Sequence, residues 1–146
     1  MLAYDWRAAT WQRLEPDEGW ECALGFQEWD YRILCPLLPG DVTVFGDVGK
    51  YATVGDRRVA HISVGDGVLS FDVLGAPETW VEVHGYSGNR PTTMHAWTPG
   101  RQRVLEHDAS GGTTREFWSW DPGSGGWIVR VFVDAVGRTR VFVHIA

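Results

Sequence analysis

An antiparallel all-β sandwich of jelly-roll or Greek-key type, with about twelve short strands in one domain over 1–146, is the fold this sequence predicts. Three observations carry that expectation. Turn signals such as "PDEG", "LPGD", "VGDR", "SGNRP", "TPGR" and "DPGSGG" recur roughly every eight to twelve residues. The runs between them are short and rich in Val, Ile, Phe, Trp and Thr, the residues that suit a pleated, half-buried surface. No stretch holds a 3.6-residue apolar stripe long enough to make a helix.

The elements follow in order. "YDWRAATWQRL" places Tyr4 and Trp6 on one face of a strand, with Trp11 beside Arg13 on the next. "WECALGF" and "YRILCPLL" read as an antiparallel pair. Their core faces would hold Trp20, Cys22 and Leu24 in one strand and Trp29, Tyr31, Ile33 and Cys35 in the other. A turn centred between Glu28 and Trp29 would set Cys22 opposite Cys35, near enough to bridge, although buried thiols explain the same spacing. Pro36 and Pro39 imply that this strand lies at an edge or leaves the sheet. "DVTVFGD" and "KYATV" form a third pair with Gly46 and Gly49 at the bend. Residues 60–64 and 68–73 are joined by a Gly-Asp-Gly loop. "LGAPET" (74–79) is the one internal seam, dividing the chain into two substructures or two sheets. Further hairpins join 101–107 to 114–120, 115–120 to 127–133, and the latter to a last strand at 138–145. Together they predict a four-strand C-terminal meander, since sequential strands are usually neighbours.

Composition narrows the function. The apolar fraction is 44% and the charged fraction 22%, those of a folded globular chain. Net charge is −6, with no basic cluster larger than "DRR" or "GRTR", which argues against nucleic acid as a partner. No apolar run approaches the ~18 residues of a membrane span. "MLAYDWRAAT" carries no secretory signal pattern, so the chain is expected inside the cell or as part of a longer protein, and its location stays open. No cofactor is expected. A structural calcium ion needs six to eight oxygens, and "GDVGK" and "VGDGV" each offer a single aspartate. The histidines are scattered and no CxxC occurs, so zinc is not expected either.

Residues 28–64, "EWDYRILCPLLPGDVTVFGDVGKYATVGDRRVAHISV", together with "YDWRAATWQRL" and "FDVLGAPETWVEVHGY", carry a likeness that covers about 3–86. This stretch resembles the β-sandwich domain that follows the catalytic (β/α)8 barrel in glycoside hydrolases of the α-galactosidase and α-glucosidase kind. The resemblance implies an accessory module, because in such enzymes the two reacting carboxylates stand on the barrel. No alternating strand–helix pattern is present here, so no catalytic residues are expected. Acid pairs such as Glu28 with Asp30, or Asp17 with Glu18, read as solvated turn and strand residues, and Ser87 in "GYSGN" lacks a nucleophile motif. The implied partners are an oligo- or polysaccharide and a catalytic glycosidase domain. A purely bracing domain and a stand-alone glycan-active enzyme are the alternatives.

Nine tryptophans supply the candidate sugar contacts, since indole faces stack on the apolar faces of sugar rings. Alternation sets Trp80 with Glu82 and His84, away from Val81 and Val83, and sets Trp97 with Thr93 and His95. Both are candidates for exposure. In the loop 84–93, Tyr86, Asn89 and Arg90 add a ring and the amide and guanidinium donors that read hydroxyls. "REFWSWDPGSGGW" (115–127) places Trp120 opposite Trp127 and Trp118 opposite Val129, which fits a hairpin clasp facing the core. Trp120 and Trp127 stay as reserve contacts at the hairpin end.

Overall fold

The computed structural model describes residues 1–19, 23–26, 28–49, 58–110 and 115–145. Thirteen strands and no helix run through these residues, and the fold is an all-β sandwich. Two compact units divide it, Met1–Leu37 and Leu38–Ala146.

The first unit is a three-stranded antiparallel sheet of β1 (Leu2–Asp5), β2 (Thr10–Arg13) and β3 (Arg32–Cys35), in the order β2-β1-β3. The turn after β1 forms because the Asp5 carboxylate accepts the N–H groups of Arg7 and Ala8, each at 2.9 Å. Tyr4 then pairs with Trp11, and their rings stack at 6.5 Å. β3 pairs with β1, and Ala23–Phe26, the described part of its expected partner, is not a strand, which corrects the expected 20–26 and 31–38 hairpin over those residues. The expected core face there is also corrected. Leu24 is 54% exposed and Trp29 46%, while Cys35 is buried. Burial pushes the Cys35 thiol up to about 11. Trp20 and Cys22, and with them the proposed cysteine pairing, lie outside the described residues.

The second unit holds β4 (Val42–Gly46), β5 (Val59–Gly65), β6 (Val68–Leu74), β7 (Trp80–Ser87), β8 (Pro91–Thr98), β9 (Arg101–Val104), β10 (Glu106–His107), β11 (Phe117–Trp120), β12 (Gly126–Phe132) and β13 (Arg138–Ile145). One sheet has the order β10-β11-β12-β7-β4 and the other β5-β6-β13-β8-β9. Their inward residues form one core, which holds Val129 and Val131 of the first sheet and Val141 and Val143 of the second, all fully buried.

Two hairpins have the expected partners. β5 and β6 join through Gly65–Gly67, and β11 and β12 pair with Trp120 opposite Trp127 and Trp118 opposite Val129. The four-strand meander is corrected. β12 and β13 lie in different sheets, because both carry an apolar inward row and bury it in the core the two sheets share. The connection passes through Val133, which is itself fully buried. The expected 101–107 with 114–120 hairpin is corrected too. β9 pairs with β8, Leu105 inserts into the core, and β10 joins the other sheet parallel to β11. The expected partner of "DVTVFGD", "KYATV" (50–54), lies outside the described residues; β4 pairs with β7. Residues 74–79 carry the chain from β6 to β7, hence from one sheet to the other.

Trp127 is the largest fully buried side chain among the described residues. Its ring is 1% exposed and stacks on Phe71 of the opposite sheet at 6.0 Å. The space it fills is opened by Gly85 on the neighbouring strand. A Cβ there would stand 2.1 Å from Trp127 Cζ2 and 2.5 Å from the Thr43 carbonyl oxygen. Gly85→Ala is therefore expected to destabilise the protein by about 3 kcal/mol, as overpacking does, and Trp127→Ala by about 3–5 kcal/mol through the cavity it leaves. Chemical denaturation of the two variants measures both losses.

Candidate functional site

The sequence candidates do not converge on one place. Trp80 stands on the outward face of the β7–β12 pair, 38% exposed. Its ring meets Phe132 edge-on at 5.2 Å, and the Arg130 guanidinium lies 5.2 Å from its centroid. Beside it, the His84 ring nitrogen Nε2 lies 2.9 Å from Glu82 Oε1, and that bond holds the Glu82 carboxyl below its ordinary range. Tyr86 lies further along β7 and donates its hydroxyl to Asp41 Oδ2 at 3.3 Å. Asn89 and Arg90 are exposed in the β7–β8 turn. Asn89 lines a cavity of about 520 Å3 with Asp41, Val64, Asp66 and Ile145.

Trp97 is on the other sheet. The reserve pair from the 115–127 hairpin is not a surface platform. Trp127 is in the core, which corrects its place among the sugar contacts, and Trp120 is half-buried and packs against the same cluster. In the first unit a smaller hollow of about 230 Å3 borders Trp29, but its acids are already engaged. Glu28 accepts the Gly25 N–H at 2.7 Å, and Asp30 and Asp5 hold Arg32 at 3.0 and 3.4 Å.

The outward face of β5-β6-β13-β8-β9 gathers the richest set of functional groups. Alternation along β13 turns Val141 and Val143 inward, so Arg138, Arg140, Phe142 and His144 point out. The register then sets Arg140 between Asp72 of β6 and Trp97 of β8. Asp72 is 2% exposed although it belongs to the outward row, because basic side chains cover it. His61 Nδ1 lies 2.8 Å from Asp72 Oδ2, Arg138 Nη1 3.8 Å from the same oxygen, and Arg140 Nη1 3.5 Å from Oδ1. Arg140 also donates through Nη2 to Ser70 Oγ at 3.1 Å, and Ser70 is bonded to Ser63 at 2.9 Å. A bulge between Ala60 and Ser63, with His61 at φ 51°, aims the imidazole at the carboxylate.

On the far side of Arg140 the same face becomes aromatic. Trp97 is 38% exposed, and among the described residues no ring packs on its indole. Gln102 lies opposite it on β9 and contacts His95 Nδ1 at 3.3 Å. The rings of His95 and His144 meet edge-on at 5.0 Å. Alternation along "RTRVFVHI" and "VLSFDVL" marks Arg138, Arg140, His144, Ser70 and Asp72 as outward. Joining them to Trp97 needs the strand order, which local spacing does not supply.

No protein-family model matches the chain, and no curated protein matches it.

Partial burial, and secondly the charge of His144, hold the His95 imidazole below its ordinary value near 6.5. The neutral ring is thus the form the fold favours. Its stabilising contribution is present above about pH 6.5 and is lost as pH falls through the lowered folded value. Thermal melts from about pH 7.5 to 5 are expected to show a shallow acid loss that His95→Gln reduces.

Proposed function

We propose that this protein is a non-catalytic carbohydrate-binding β-sandwich, the accessory module of a glycoside hydrolase, and that it takes glycan on the outward face of β6, β13 and β8. One observation carries the reading. The indole of Trp97, on which no ring of the described residues is stacked, stands beside a guanidinium immobilised by Ser70 and Asp72. A sugar ring offers an apolar C–H face for the indole, and its hydroxyls need planar, fixed donors and acceptors. Arg140, Gln102 and His95 supply these around Trp97 from three adjacent strands. Such groups lose little freedom on binding because the sheet and their hydrogen bonds already hold them. The link to glycoside hydrolases rests on the likeness of residues 3–86 to the sandwich that accompanies their barrels.

Trp80 is the weaker platform, since Arg130 and Phe132 already occupy its ring. Trp80 and Phe132 side by side on the other sheet favour a second reading, in which the module braces a catalytic domain through that face.

Calorimetry against a panel of oligosaccharides separates the two. Trp97→Ala is expected to weaken binding at least about tenfold, with Trp80→Ala near wild type. Undiminished binding by Trp97→Ala removes the proposed face. If no saccharide binds and Trp80→Ala releases a co-expressed catalytic domain, the bracing reading stands in its place.

A further inference from the structure

We infer that the glycan taken by this face is acidic, bearing carboxylate or sulfate groups along its chain; the inference rests on the carbohydrate reading of the same site. Its basis is a segregation of charge. The chain carries a net −6, yet the five strands of the β5-β6-β13-β8-β9 sheet contain a single acidic residue, Asp72. The same strands contain Arg101, Arg103, Arg138, Arg140 and three histidines. Arg101 and Arg103 lie opposite the inward Thr98 and Ala96, and Glu116 neutralises Arg103 with its carboxylate 2.7 Å from Nε, so neither takes part.

Around Asp72 the count is unequal. Two guanidiniums face one buried carboxylate, which leaves one positive charge over. That carboxylate is sunk beneath its partners at 2% exposure, whereas the Arg138 side chain is 52% exposed and that of His61 71%. Among the described residues of these strands, an arriving ligand therefore meets donors and positive charge and no exposed acid. Asp72 acts from below as the anchor that keeps the guanidiniums in place without presenting itself. The short "GRTR" run, too small for nucleic acid, is the source of this charge once β13 is set in mid-sheet.

Position ties the charge to the sugar platform. Trp97 and Arg140 are directly opposite each other across the β8–β13 ladder, so their Cβ atoms are about 5 Å apart, and Arg138 is the diagonal neighbour at about 7–8 Å. A saccharide stacked on Trp97 thus directs a substituent at Arg140, and a chain running along β13 brings the next towards Arg138. Guanidinium binds carboxylate and sulfate through paired N–H donors, a match that neutral hydroxyls do not make.

The test is calorimetry of the intact protein against oligogalacturonate, a sulfated oligosaccharide and a neutral hexasaccharide, at about 50 and about 500 mM salt, where screening differs strongly. The acidic ligands are expected to bind about tenfold or more above the neutral one, as a charge-assisted hydrogen bond warrants. That margin is expected to shrink in high salt. Arg138→Gln should lose most of it and Arg138→Glu should abolish it. Arg138 is half exposed, so these variants keep the fold, and Arg140→Gln serves as the stronger deletion. Equal binding of neutral and acidic ligands, with Arg138→Glu silent, overturns the inference and leaves the carbohydrate reading intact. If Trp97→Ala and wild type alike bind no saccharide of any kind, both fall.

Discussion

The stacking of Trp127 on Phe71, over the bare backbone of Gly85, is the contact on which the second unit turns. A tryptophan ring buries about 150–250 Å2, the largest single contribution available to a core this size. It can lie flat between the sheets only where the adjacent strand offers no side chain. That requirement locks β12 against β7 in one register, since a slip of one residue would bring Tyr86 or His84 under the ring. With β7 fixed, Trp80, Glu82 and His84 must point outward. With the opposite sheet held by Phe71, the outward rows of β6 and β13 are fixed as well. The surface chemistry of both faces follows from an interior packing choice.

Much of the fold was legible because β-hairpins and side-chain alternation are local. The Trp120–Trp127 pairing could be read from the turn "DPGSGG" alone, and the Gly-Asp-Gly loop likewise defined the β5–β6 pair. The errors share one origin. β12 and β13 are joined by a short turn-like segment that looks like a hairpin and is a crossing between sheets. Nothing local separates the two cases; what decides is that two apolar rows must be buried against each other. Leu105 misled in the same way, since one residue inserted between β9 and β10 sends the chain across the sandwich. Trp29 and Leu24 show the opposite limit. Alternation says which residues share a face, but not whether anything covers it.

The candidate site was legible only in fragments. Trp80 and Trp97 carry the same local signature, an indole opposed to an inward apolar row, and both are exposed to the same degree. What distinguishes them is the partner strand. β12 brings Phe132 and Arg130 onto Trp80, whereas β13 and β9 bring Arg140 and Gln102 beside Trp97, with no ring of the described residues on its indole. His61, Ser70 and Asp72 read individually as ordinary strand residues. Their meeting with Arg140 depends on pairings that span some seventy residues of chain.

The position of β13 also bears on how the molecule comes into being. It lies between β6 and β8 in space but follows every other strand of its sheet in sequence. As a ribosome delivers the chain, β5-β6 and β8-β9 emerge as two separate ribbons, each with an unpaired edge where β13 will insert. Until it arrives, those open edges are templates for any other extended chain, including a second nascent copy. A sheet completed from its middle by its latest segment has a high contact order, which slows folding. The strand that brings the arginines to the surface is thus also the one that joins the two ribbons of this sheet, so the charged face exists only once the sheet is assembled.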